Sequence, residues 1–270
     1  MFIKSNKQEG FTLIEIAVVL VIVGVLVGSF IGSVSSRIEA TRRDNTKQQL
    51  EEIKQAIIGH AITHGRLPCP TTTTGQGLEQ PQPPGAADCT WQHGFVPGGT
   101  LGLSGNYNRD GLLTDSWGNP IRYTVAIADN SALTKAPGAG GIADVGMTTI
   151  APNLIVCDGD STVIDDCAGA PAPAKLTEEA PFIILSLGRD GGDFINNVAP
   201  NSDQGENAGE VAVAVNAAGE NIAYTVGGNR VFVRKTYSDE VSAAGRFDDI
   251  IVWESKYILY SRMLNAGQLP

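Results

Sequence analysis

The sequence has no cluster of basic residues after Arg43, and its formal net charge is −10. Direct nucleic-acid binding is therefore not expected, because affinity for a phosphate backbone comes from grouped Lys and Arg. Histidine is scarce, at three residues. His60 and His64 stand four apart, but alanine follows His60, so the general base of an HExxH metalloprotease is missing. Ser104, in GLSGN, misses a GxSxG nucleophile elbow by one residue, and nothing marks a triad around His93. No P-loop occurs, nor any GxGxxG leading into a helix. The chain reads as a non-enzyme. There are four cysteines and no CxxC, which argues against structural zinc. No internal repeat at a fixed period is visible.

One long hydrophobic run is present. From Phe11 to Val34 the only ionised side chain is Glu15. That length is enough to cross the roughly 30 Å hydrocarbon layer as a helix. Lys4 and Lys7 precede it, which would hold the N-terminus in the cytoplasm and send the rest across. After Val34 the chain reads SSRIEATRRD, without the small-residue cleavage site of a secretory signal, so the helix should stay on the mature protein. An acid inside a spanning segment costs about 2.5–3.5 kcal/mol on insertion scales and is a functional candidate by default. Glu15 either sits solvated at headgroup depth or meets a cation in low dielectric. A cut between Gly10 and Phe11 would create such a cation, the new α-amine, for Glu15 of a neighbouring molecule. Gly24, Gly28 and Gly32 repeat every four residues and would let helices approach closely in lipid.

The segment GFTLIEIAVVLVIVGVL, from Gly10 to Leu26, resembles the N-terminal motif of type IV pilins and type II secretion pseudopilins. The resemblance implies that an inner-membrane prepilin peptidase cuts after Gly10 and N-methylates Phe11. It also implies that Glu15 neutralises the N-terminal amine of an adjacent subunit during filament assembly. The partners implied are other pilin or pseudopilin subunits, the peptidase and an inner-membrane assembly platform. The place implied is the inner membrane of a Gram-negative bacterium, single-pass with the head in the periplasm, and then a pilus or pseudopilus. The proline that often bends this helix in the family is missing here, since Gly32 is followed by SVSSR.

Past the membrane segment, Leu50, Ile53, Ile57, Ala61 and His64 repeat at helical spacing as one apolar stripe. Gly65 and Pro68 end it. A helix from Phe11 to His64 would be about 80 Å long at about 1.5 Å per residue. From residue 66 short strand-like runs alternate with turns: 121–128, 153–157, 181–188, 210–215, 221–226, 230–235 and 248–253. GGN between NIAYTV and RVFVRK reads as a hairpin. An amphipathic helix over 255–264 should close the chain, with Ile258, Leu259 and Met263 inward. The fold class expected is α+β, a long N-terminal helix packed on a head with an antiparallel sheet. Its parts are a leader, 1–10; a transmembrane and filament-core helix, 11–34; the second half of the helix, 35–65; and a β-rich head, 66–270. Residues 71–88 read as an exposed loop, and 129–151 as another.

Two further elements, DSWGNPIRY (115–123) and LSLGRDG (185–191) with FDDIIVW (247–253), resemble the calcium-binding major pseudopilin of type II secretion. Calcium is the one ligand that this resemblance supports, with Asp190, Asp193, Asp248 and Asp249 as candidates beside carbonyls near Leu187. Residues 192–246, which include strand-like runs, separate the last two elements, which lie close together in that family. The large head, and GRLPCP with a later cysteine, resemble a set of large prepilin-type proteins and suit a minor subunit. Two other acidic loops, 106–117 and 157–167, read as turn and solvated loop respectively. The cysteines occur along the sequence as two local pairs, Cys69 with Cys89 and Cys157 with Cys167. Three connectivities are open, and export favours two local disulfides. Against the filament subunit stands a membrane-anchored periplasmic binding or enzymatic domain that uses the helix only as an anchor.

Overall fold

The structure is a computed structural model. It describes residues 11–81, 84–85, 88–89, 91–160, 175–191, 204, 207–208, 231–238 and 246–269, leaving aside the side chains of 27–35. Gly10, Cys167, Asp193 and the expected strands at 210–215 and 221–226, with their hairpin, lie outside that set.

The chain divides into two compact units, 1–44 and 45–270, and helix α1, Leu13–His64, contributes to both. In the first unit the helix carries a run of exposed apolar side chains from Leu13 to Leu26. Among the described residues no helix is long and apolar enough to cross a membrane.

In the second unit Leu50, Ile53, Ile57, Ile58 and Ala61 of α1 are buried in the core. The stripe departs from expectation at its end. His60 is buried and His64 exposed, its ring stacked on His60 with centroids 4.1 Å apart. The chain turns away at Gly65, whose φ of +71° favours glycine, and the core covers the helix only as far as the half-buried Ile62.

Among the described residues seven strands follow: β1 His93–Phe95, β2 Arg122–Val125, β3 Leu154–Asp158, β4 Lys175–Ala180, β5 Phe182–Ser186, β6 Val231–Arg234 and β7 Ile250–Trp253. Strands β1-β2-β5-β7 make an antiparallel sheet, with Tyr123 opposite Ile184 and Ile184 opposite Val252. All five residues of β5 are buried, as befits a central strand packed on both faces. The second sheet, β4-β3-β6, is mixed: β3 pairs antiparallel with β4 but parallel with β6, where Ile155 faces Val231. The four-stranded sheet is the antiparallel sheet expected, and the parallel pair of β3 with β6 comes in addition to it. A long connection separates β3 from β6, and parallel pairing needs such a crossover.

The loop expected to be exposed over 71–88 is partly built into the fold. Thr71 bridges Phe95, and Glu79 is only 2% exposed. Cys69 and Cys89 close it with a disulfide, Cα atoms 5.3 Å apart. Cys157 is also disulfide-bonded. The C-terminal helix, Lys256–Asn265, buries Leu259, Tyr260 and Met263 but leaves Ile258 46% exposed, so Tyr260 takes the inward place expected of Ile258.

Candidate functional site

At the start of α1, Thr12 and Glu15 form a reciprocal capping box. The Thr12 amide and hydroxyl both donate to Glu15 Oε2 at 2.9 Å, and the Glu15 amide donates to Thr12 Oγ1 at 3.3 Å. Each side chain thus satisfies a backbone donor that a helix start would otherwise leave unpaired. The T-x-x-E pattern of TLIE is legible in the sequence. The box draws the carboxylate toward the N-terminal end of the helix, beside the peptide that joins Thr12 to Phe11. Phe11 itself is 84% exposed.

The second candidate lies where LSLGRDG meets FDDIIVW. The DSWGN turn is its scaffold. Asp115 accepts the Trp117 and Asn119 amides, each at 2.9 Å, and the Ser186 hydroxyl at 2.6 Å. Burial raises the Asp115 pKa, against the pull of those donors. Asn119 Nδ2 then donates to the Gly188 carbonyl at 2.6 Å, which ties the turn to the loop after β5. Gly188 has φ +64°, and a Cβ there would meet Asp248 Cγ at 2.5 Å. Glycine is therefore required both by conformation and by the close approach of a carboxylate.

The structure brings Asp190, Asp248 and Asp249 together. All three are buried, and one oxygen of each lies within 4.8 Å of the others. Asp248 Oδ2 accepts the Arg189 amide at 2.8 Å and Arg246 Nη2 at 3.0 Å, while its Oδ1 accepts Gln204 Nε2 at 2.8 Å. The same Gln204 amide reaches Asp190 Oδ1 at 3.3 Å, and Arg246 Nε stands 3.7 Å from Asp190 Oδ2. Asp249 Oδ2 accepts Asn207 Nδ2 at 2.7 Å, whereas its Oδ1 is buried without a hydrogen-bond partner among the described residues. Burial and the neighbouring Asp248 push the Asp190 pKa up to about 7, and burial holds Asp249 well above the carboxylate range. Both shifts come first from loss of water around the carboxyls, and at Asp190 the pull of Arg246 offsets this only in part.

Gln204, Asn207 and Arg246 were not foreseen from the sequence. They come from the segment that separates the two elements in sequence, and no motif marks them. Asn207 also clasps β6, bonding the Val233 amide at 2.7 Å and the Val233 carbonyl at 2.9 Å.

Residues 161–167 of the second acidic loop lie outside the described set, and described acceptors in both loops are engaged. Asn108 Oδ1 accepts the Asp110 and Leu112 amides, as a turn does, and Asp160 accepts the Thr236 amide and hydroxyl. His60 is buried with Nδ1 3.1 Å from the Arg66 carbonyl, and burial lowers its pKa to about 4. His93 Nδ1 lies 2.6 Å from Thr124 Oγ1, and burial lowers its pKa to about 3.

Residues 5–31 match the model of the prokaryotic N-terminal methylation motif. The chain is 30% identical over 132 residues to the type II secretion system core protein G of Pseudomonas aeruginosa, covering 75% of that protein and 44% of this one. It is also 30% identical over 120 residues to the type II secretion system core protein G of Escherichia coli K12, covering 70% of that protein and 43% of this one. No solved structure matches the chain. The methylation motif at one end and this kinship together place the chain in the pilin and pseudopilin family of the type II secretion core protein G.

Proposed function

We propose that the chain is a structural, non-catalytic subunit of a type II secretion pseudopilus or type IV pilus, assembled through its N-terminal helix. The observation that carries this reading is a solitary carboxylate, Glu15, in an otherwise apolar and exposed helical run within the methylation motif. Prepilin peptidase removes residues 1–10 after Gly10 and methylates the Phe11 amine. That amine is a cation, and the Thr12 amide and hydroxyl hold Glu15 at the same end of the helix. Glu15 pairs with the amine of the next subunit. The attraction is strong because lipid and packed helices screen it little. The exposed apolar side chains from Leu13 to Leu26 are covered first by lipid and then by neighbouring helices. The head faces the periplasm, with the inner-membrane platform and other subunits as partners, and its size suits a minor position.

Mass spectrometry of the mature protein tests the first step: the N-terminus should be methylated Phe11. A protein that keeps residues 1–10 inside a working fibre would overturn the reading.

The carboxylate cluster fits a small, oxygen-seeking cation. Calcium–oxygen distances are about 2.3–2.6 Å, so oxygens on opposite sides of one ion stand about 4.8 Å apart. The three aspartates meet that limit, and Asp249 Oδ1 is a buried acceptor without a donor among the described residues. Asp190, Asp248 and Asp249 would hold the ion. Bound calcium would supply the positive charge that joins the loop after β5 to the start of β7. Calorimetric titration of the full chain with calcium, with Asp249→Asn as the silent control, tests this.

A further inference from the structure

The described side-chain donors around the three carboxylates share one origin. Gln204, Asn207 and Arg246 all belong to the segment between Gly191 and Phe247: Gln204 and Arg246 each reach both Asp190 and Asp248, and Asn207 reaches Asp249. Two are neutral amides. The third, Arg246, is a permanent cation whose side chain is 13% exposed and whose guanidinium reaches Asp248 at 3.0 Å and Asp190 at 3.7 Å. Its planar fork spans two carboxylates, as a point charge on a lysine would not.

We infer that Arg246 is a built-in counter-cation that competes with a divalent ion for Asp190 and Asp248 and so sets the calcium affinity of the cluster. The inference rests on the calcium reading above. A guanidinium and a calcium ion cannot both lie against these oxygens without strong repulsion. Calcium must therefore displace Arg246, and the chain holds its loop and β7 together without metal. The separating segment then acts as an internal substitute for the ion.

The experiment titrates calcium into the full-length protein in detergent micelles, by calorimetry, for wild type, Arg246→Gln and Arg246→Lys. The Gln variant is expected to bind calcium at least about tenfold more tightly than wild type, with the Lys variant between them. Its melting temperature should fall in chelator and recover in calcium, whereas wild type should respond little. Measurable but equal affinities in all three proteins would overturn the inference and leave the calcium reading standing. No calcium binding in any of them would overturn both. Should Arg246→Gln fold only in calcium, the inference is supported; should it fold in neither condition, the Lys variant decides by its affinity relative to wild type.

Discussion

Arg66 and Glu79 face each other inside the fold as a two-pronged pair, with both nitrogen–oxygen distances at 2.8 Å. They are 4% and 2% exposed, and Glu79 Oε2 also accepts the Cys69 amide at 3.0 Å. The pair thus fastens the disulfide loop to the end of α1, with His60 Nε2 3.9 Å from Glu79 Oε1. Burial alone would raise the Glu79 pKa, but the bonds from Arg66 and the Cys69 amide bring it below the usual range.

Removing one partner strands the other. Glu79→Gln leaves a buried guanidinium without its charge partner and is expected to cost about 3–5 kcal/mol. The double change Arg66→Met with Glu79→Leu should cost less than Glu79→Gln. Denaturant titration of the full chain in micelles checks the order, and a double variant that is worse than the single one would contradict it.

His93 predicts a pH effect of known sign. Its folded pKa, about 3, lies below the unfolded value near 6.5. Between those values the unfolded chain binds a proton that the folded one refuses, so stability falls as pH drops through that window. The slope from this one group is about 1.4 kcal/mol per pH unit. His93→Gln should flatten the curve of stability against pH by that slope between about pH 6 and 4. An unchanged slope would show that the ring is protonated in the fold.

Gly188→Ala places a methyl group against Asp248 and forces a left-handed backbone on an ordinary residue. About 2–4 kcal/mol of destabilisation is expected. By contrast, Gly118→Ala, at φ +91° with open space around it, should cost only the conformational part. Melting of the two variants side by side separates collision from backbone strain.

The Cys69–Cys89 bridge closes a separation of 20 residues. Its removal by Cys69→Ser with Cys89→Ser should cost about 3 kcal/mol through the freedom it returns to the unfolded chain. A non-reduced peptide map should show Cys69 linked to Cys89.

Glu15→Val should leave cleavage and the head's melting unchanged while abolishing incorporation into filaments. Co-purification with sheared fibres reads the outcome, and normal incorporation would sink the assembly role. A bulky change at Gly10, such as Gly10→Val, should stop maturation one step earlier.

Local patterning carried a good share of this protein. The solitary carboxylate in an apolar run, the T-x-x-E box, the Leu50–Ala61 stripe and the placement of β2, β3, β5, β6 and β7 all depend on residues near one another in the chain. Helical and strand periods, turn chemistry and caps act over such distances. The carboxylate cluster was half legible: Asp190, Asp248 and Asp249 could be picked out by resemblance, but not the three donors that face them. Contacts made across 42–44 residues, such as Gln204 with Asp248 and Asn207 with Asp249, leave no periodic trace. The same holds for the parallel pairing of β3 with β6, for Glu79 turning inward from a polar loop, and for Tyr260 rather than Ile258 facing the core. Those outcomes follow from which surfaces meet once the chain is compact, where an unmatched charge or polar group is costly and the nearest complement decides its place.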